Sequence, residues 1–116
     1  MTGKELLVRA LALFAETETT DYEALALPYI DMVLAETFDT NNRIRTAAGK
    51  AVLTEMPELA SLADTLPYED KLVKLALPYG LAAKLYFDEE DNPRLTMFNQ
   101  EYADRVNRCD KAVVEF

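Results

Sequence analysis

The sequence predicts an all-α fold: a single helical domain over residues 1–116, built as a small bundle of about four helices with a long loop between helices two and three. Three observations carry this. Residues 67–87, PYEDKLVKLALPYGLAAKLYF, form the longest apolar-rich stretch and repeat at helical spacing. Thr2-Gly3-Lys4-Glu5 and Thr20-Asp21-Tyr22-Glu23 both read as capping boxes, in which a hydroxyl and a carboxylate satisfy each other's backbone N–H. Leu95, Phe98, Tyr102, Val106, Cys109 and Val113 recur at spacings of three and four, close to the period of a straight helix.

The first helix, expected over about 3–16, buries Leu6, Leu7, Ala10, Leu11, Leu13 and Phe14. A polar, Thr-rich turn follows. Helix two is expected over about 21–40, with Ala26, Ile30, Val33 or Leu34, and Phe38 on its inner stripe. Pro28 lies inside it and predicts a distortion. Residues 39–66 are ambiguous. They read either as a loop that packs on something, another subunit included, or as a surface loop after a helix continuing to Arg45.

Helix three, expected over 67–87, is the predicted centre. Pro67 suits a first turn, where its missing N–H costs nothing, and Glu69 and Asp70 suit the positive end of the dipole. Leu72, Leu75, Ala76, Tyr79, Ala82, Ala83 and Tyr86 form one stripe, and Leu77, Leu81 and Leu85 a neighbouring one. Pro78 predicts a kink, and Gly80 beyond it allows close approach of another helix. Helix four is expected over about 93–114, after an Asn92-Pro93 start. Its outer face carries Glu101, Asp104, Arg105, Arg108 and Lys111, with Glu101–Arg105 and Asp104–Arg108 in the favourable i,i+4 order.

Composition bounds the function. The formal net charge is −9, from 21 acids and 12 bases. That opposes phosphate-backbone binding and anionic membrane surfaces, so no sequence-specific nucleic-acid contact is expected. The longest uncharged apolar run is nine residues, 75–83, where a membrane-spanning helix needs about 20. Glu5 and Arg9 interrupt what would be a signal-peptide core.

Chemistry is sparse. There is no histidine, a single serine lacks a nucleophile-elbow context, and the three glycines form no phosphate loop. Cys109 lies on the apolar stripe of helix four and reads as a core residue. Asp88, Glu89, Glu90 and Asp91 read as a solvated turn, since an EF-hand would need other spacing and a glycine. No catalytic residue, cofactor, metal or small-molecule substrate is therefore expected.

The run LALPYGLAAKLYFDEEDNPRLTMFNQEYADRVN over residues 75–107, with upstream PYIDMVLAETFDTNNRIR and Gly49, resembles small α-helical proteins from the structural gene cluster of tailed phages and prophages of Gram-positive bacteria. These are similar to head–tail connector (adaptor) proteins. The resemblance implies a non-enzymatic virion structural protein that forms a ring with copies of itself at the portal and touches other virion proteins. It implies the host cytoplasm during assembly, then the virion. It transfers no functional residues, because connectors work through surfaces. An alternative is a small acidic phage-encoded binding or inhibitor protein acting on a host protein.

A ring needs heterologous interfaces, complementary in charge. Arg43, Arg45 and Lys50 form a basic segment, and Asp64, Glu69 and Asp70 an acidic one, on either side of the ambiguous loop. These six are the candidate subunit interface, unless they pair within one chain.

Overall fold

The computed structural model describes residues 1–86 and 92–114. The order is α1 (Gly3–Ala12), α2 (Thr20–Glu36), α3 (Phe38–Ala47), α4 (Asp70–Leu75), α5 (Leu77–Leu85) and α6 (Asn92–Val114). The fold is all-α among the described residues. The expected count of about four helices becomes six, because two expected helices are each broken once. The long loop, residues 48–69, lies between α3 and α4.

The first cap forms as expected. Thr2 Oγ1 accepts from Glu5 N at 3.1 Å, and Thr2 N donates back to Glu5 Oε1. α1 ends earlier than expected, at Ala12, because the chain turns left-handed at Ala15 (φ 60°) and Glu16 N bonds Leu11 O at 3.0 Å. The second capping box does not form. Glu23 instead reaches Lys4 Nζ and the Thr19 hydroxyl, and Thr20 is held by Glu18. The Lys4 ammonium, sixteen positions before helix α2 begins, outbids a purely local cap for that carboxylate.

α2 passes Pro28 unbroken, and both Val33 and Leu34 are buried beside Ala26 and Ile30. Its break comes at Thr37. The Thr37 hydroxyl bonds Val33 O at 2.8 Å, competing with the ladder, and the backbone opens to φ −110°. α3 continues past it, so the helix goes on beyond residue 40, to Ala47. Gly49, at φ 76°, supplies the left-handed residue that stops α3, with Lys50 N on Arg45 O at 2.8 Å.

The central helix is split more sharply. Pro67 does not open it; α4 begins at Asp70. Pro78 has no N–H for the carbonyl of Lys74, and the helix responds by breaking at Ala76 rather than kinking. Pro78 then sits in the first turn of α5, where prolines fit. The predicted stripes are largely buried, with Leu72, Ala76 and Ala82 of the first stripe fully covered. Leu77, Leu81 and Leu85 are fully buried, whereas Leu75 is 41% exposed and Tyr79 only partly covered.

α5 nevertheless occupies the middle, touching α1, α2, α4 and α6. Its Gly80 faces Tyr102 of α6 so closely that an added Cβ would lie 2.6 Å from the ring. On α6, Phe98 and Cys109 are buried, and Leu95, Tyr102 and Val106 are partly buried. Both expected ion pairs of α6 form, Arg105–Glu101 at 2.9 Å and Arg108–Asp104 at 2.5 Å. At one end of the bundle Phe14 packs on Tyr86 (5.2 Å between centroids), and Tyr86 meets Phe98 edge to face. Phe87, the acidic run Asp88–Asp91 and the side chains of Lys111 and Val113 lie outside the described residues.

Two substitutions should act in opposite directions. Gly80→Ala should cost about 1–3 kcal/mol in denaturant melts, since the Tyr102 ring must move. Part of that loss should return when Tyr102 is also shortened to Leu. Ala15→Gly should stabilise by about 1 kcal/mol, because glycine carries no left-handed penalty.

Candidate functional site

The candidate interface residues gather around the long loop, and the structure places each of them. α3 presents Arg43, Arg45 and, just past its end, Lys50. Arg43 forks onto Asp110 of α6, with Nε on Oδ1 at 2.9 Å and Nη2 on Oδ2 at 3.0 Å. That hydrogen bond is the main reason its guanidinium is held above its ordinary pKa. Arg45 Nε donates to Ala51 O at 2.6 Å, and its Nη1 lies 3.8 Å from Glu69. Lys50 Nζ lies 2.9 Å from Glu69 Oε1 and donates to Oε2 at 3.1 Å.

The acidic members divide. Glu69 meets the basic segment within the same chain. Asp64 turns inward on the loop, where its Oδ2 accepts from Ala60 N and Ser61 N at 2.9 and 3.0 Å. Asp70 stays 80% exposed at the start of α4, 3.9 Å from Lys74. So Arg45, Lys50 and Glu69 come together, while Arg43, Asp64 and Asp70 take other partners.

Four polar residues outside this set hold the loop. Asn42 acts as a substitute strand: its Nδ2 donates to Leu53 O at 3.0 Å, and its Oδ1 accepts from Leu53 N at 2.8 Å. Buried Asn41 accepts from Glu69 N at 2.8 Å, and its Nδ2 has no partner among the described residues. Asp31 of α2 accepts from Leu59 N at 3.0 Å. The buried Tyr68 hydroxyl donates to Leu34 O. The N-terminus closes the other side, with Gly3 N on Asp64 O, Lys4 N on Leu62 O and Leu66 N on Met1 O. An irregular segment must satisfy each buried backbone group by such contacts. The Asn41-Asn42 dipeptide was the available signal in the sequence, since paired asparagines next to an irregular segment suit side-chain-to-backbone bonding.

Among the described residues no three of Cys, Asp and Glu cluster as a metal site. Cys109 is buried and its thiol pKa is raised by that burial, opposite to what a nucleophile needs. A cleft of about 330 Å³ beside Tyr102 is lined also by Glu36, Thr37 and Val106. The Tyr102 hydroxyl donates to Glu36 Oε1 at 3.1 Å.

Burial raises the phenol pKa of Tyr68 and of Tyr102 above the ordinary value of about 10. The folded state therefore favours the protonated phenols. Their contribution is complete below about pH 10 and is lost as pH rises beyond it. In an alkaline titration followed by phenolate absorbance, Tyr68 and Tyr102 should ionise only as helicity is lost, and Tyr68→Phe should remove one late-titrating group. Asn42→Ala should cost about 1–3 kcal/mol and speed hydrogen exchange of the Leu53 amide.

In comparisons with protein-family models, curated proteins and solved structures, the chain matches none.

Proposed function

We propose that the chain is a tailed-phage or prophage virion structural protein, a head–tail connector (adaptor) subunit that assembles as a ring at the portal and carries out no chemistry of its own. Its partners on this reading are copies of itself and virion proteins such as the portal, met in the host cytoplasm and retained in the virion. The sequence resemblance over residues 22–107 supports this, and the all-α fold agrees with it.

The observation that carries the reading is the long loop's surface. Its backbone is tied down at Leu53, Leu59 and Glu69, yet Val52 and Met56 stand 48% and 59% exposed. A held backbone presenting apolar side chains to water suits a preformed joint, because little ordering entropy remains to be lost on contact. Arg45 and Glu69, whose side chains are mostly covered, spend most of their charge inside the subunit. The rim charges left for a neighbour are Asp70 and the outer parts of Arg43 and Lys50, each more than half exposed. The apolar pair is then the centre of the joint and the charges its rim.

Size-exclusion chromatography with light scattering, run with and without purified portal rings, tests this. The expected result is a multi-subunit ring on the portal. Val52→Asp with Met56→Asp should abolish the ring while circular dichroism stays unchanged. A chain that remains monomeric or dimeric beside the portal overturns the connector reading in favour of the acidic binding protein. Rings that survive the double substitution place the joint elsewhere.

A further inference from the structure

α2 is apolar on two sides. Ala26, Ile30, Val33 and Leu34 face the core. On the opposite side Leu25, Pro28, Met32 and Ala35 are exposed, Leu25 at 45% and Met32 at 50%. Their spacing of three and four puts them on one line along the helix. Exposed Asp21 begins that line and exposed Glu36 ends it. From Asp21 to Glu36 the line is about 22 Å long at the helical rise per residue. Pro28 also leaves the carbonyl of exposed Ala24 without its ladder donor.

The local sequence around this stripe is one-sided in charge, although Lys4 pairs with Glu23 and Lys84 of α5 lies 3.0 Å from Glu36. No Lys or Arg occurs between Arg9 and Arg43, and that stretch carries seven acids. Asp21 has no ion-pair partner among the described residues. A second copy laid on the stripe would bring acids against acids, at −9 per chain. A partner with the opposite sign would gain from both the apolar line and its rim.

We propose that the outer face of α2 is a docking site for a basic amphipathic helix of another protein, with apolar residues at helical spacing and Lys or Arg on either side. The partner helix lies along Leu25, Pro28, Met32 and Ala35, and its cations meet Asp21, while Glu36 at the other end is already held by Lys84 and Tyr102. Methionine and leucine on such a face adapt to several apolar shapes. This surface is separate from the long loop and does not depend on ring formation.

The probe is a short fluorescein-labelled peptide of leucine and lysine with leucines at helical spacing. A peptide of the same composition with scrambled order serves as the reference. Fluorescence anisotropy at low salt should show the helical-spacing peptide binding about tenfold tighter than the scrambled one. Leu25→Gln with Met32→Gln, which leaves every charge in place, should remove that margin. Val8→Gln with Met97→Gln, also at exposed apolar positions, should keep it. Amide chemical-shift changes on titrating the unmodified protein should fall on residues 21–36, a readout that needs no variant. Equal binding of both peptides, no binding of either, equal losses in the two double variants, or shifts spread over acids elsewhere would each overturn the proposal. So would a dimer of the unmodified protein that Met32→Gln dissolves, since a second copy would then be the occupant.

Discussion

The packing of this protein turns on one missing hydrogen-bond donor. Pro78 cannot bond the carbonyl four residues back, so the central helix breaks at Ala76 into α4 and α5. The break frees a second carbonyl, that of Leu75, because Tyr79 N turns to Ala76 O. Arg105 of α6 repairs it. Its Nη1 donates to Leu75 O at 3.2 Å, its guanidinium lies 4.2 Å from the centre of the Tyr79 ring, and Glu101 holds its Nε at 2.9 Å. One side chain therefore caps α4, covers the first turn of α5 and joins both to α6. A lysine has neither the planar fork nor the stacking face for this task.

The same α5 explains why α6 must approach closely. Gly80 has no side chain, so the Tyr102 ring rests on its backbone, and the Tyr102 hydroxyl reaches across to Glu36 of α2. Lys84 of α5 meets the same Glu36 at 3.0 Å. Three helices thus share one carboxylate at the surface. Close approach and a shared charge fix relative orientation more than they add net stability, since exposed ion pairs contribute about 0–1 kcal/mol.

Function, on the readings argued above, lies in surfaces. The charged residues on either side of the long loop meet only in part, Lys50 and Arg45 through Glu69, while Arg43 turns to Asp110 of α6. They hold a loop that would otherwise lack a regular scaffold. Apolar groups are then what remains outward, on the loop and on α2. Two such faces on one small helical protein suit a component that joins different neighbours, each face with its own partner chemistry.

The sequence by itself determined the helical class, the Thr2–Glu5 cap, the burial of Cys109 and Phe98, and the ion pairs along α6. All of these depend on residues within about one turn of each other, where spacing alone dictates which groups can meet. It also located the proline effect at Pro78, though as a bend and not a break. Tertiary structure decided the rest. Glu23 left its local cap for Lys4, Thr37 opened the second helix, and Arg105, read from its position as an outer-face residue, turned inward to a free carbonyl. Of the candidate interface, the meeting of Lys50 with Glu69 was open in the sequence as an in-chain alternative. The Arg43–Asp110 fork, 67 positions apart, was not legible. Any of 21 acids can pair with a given base on paper, and only the packing of α3 against α6 selects one.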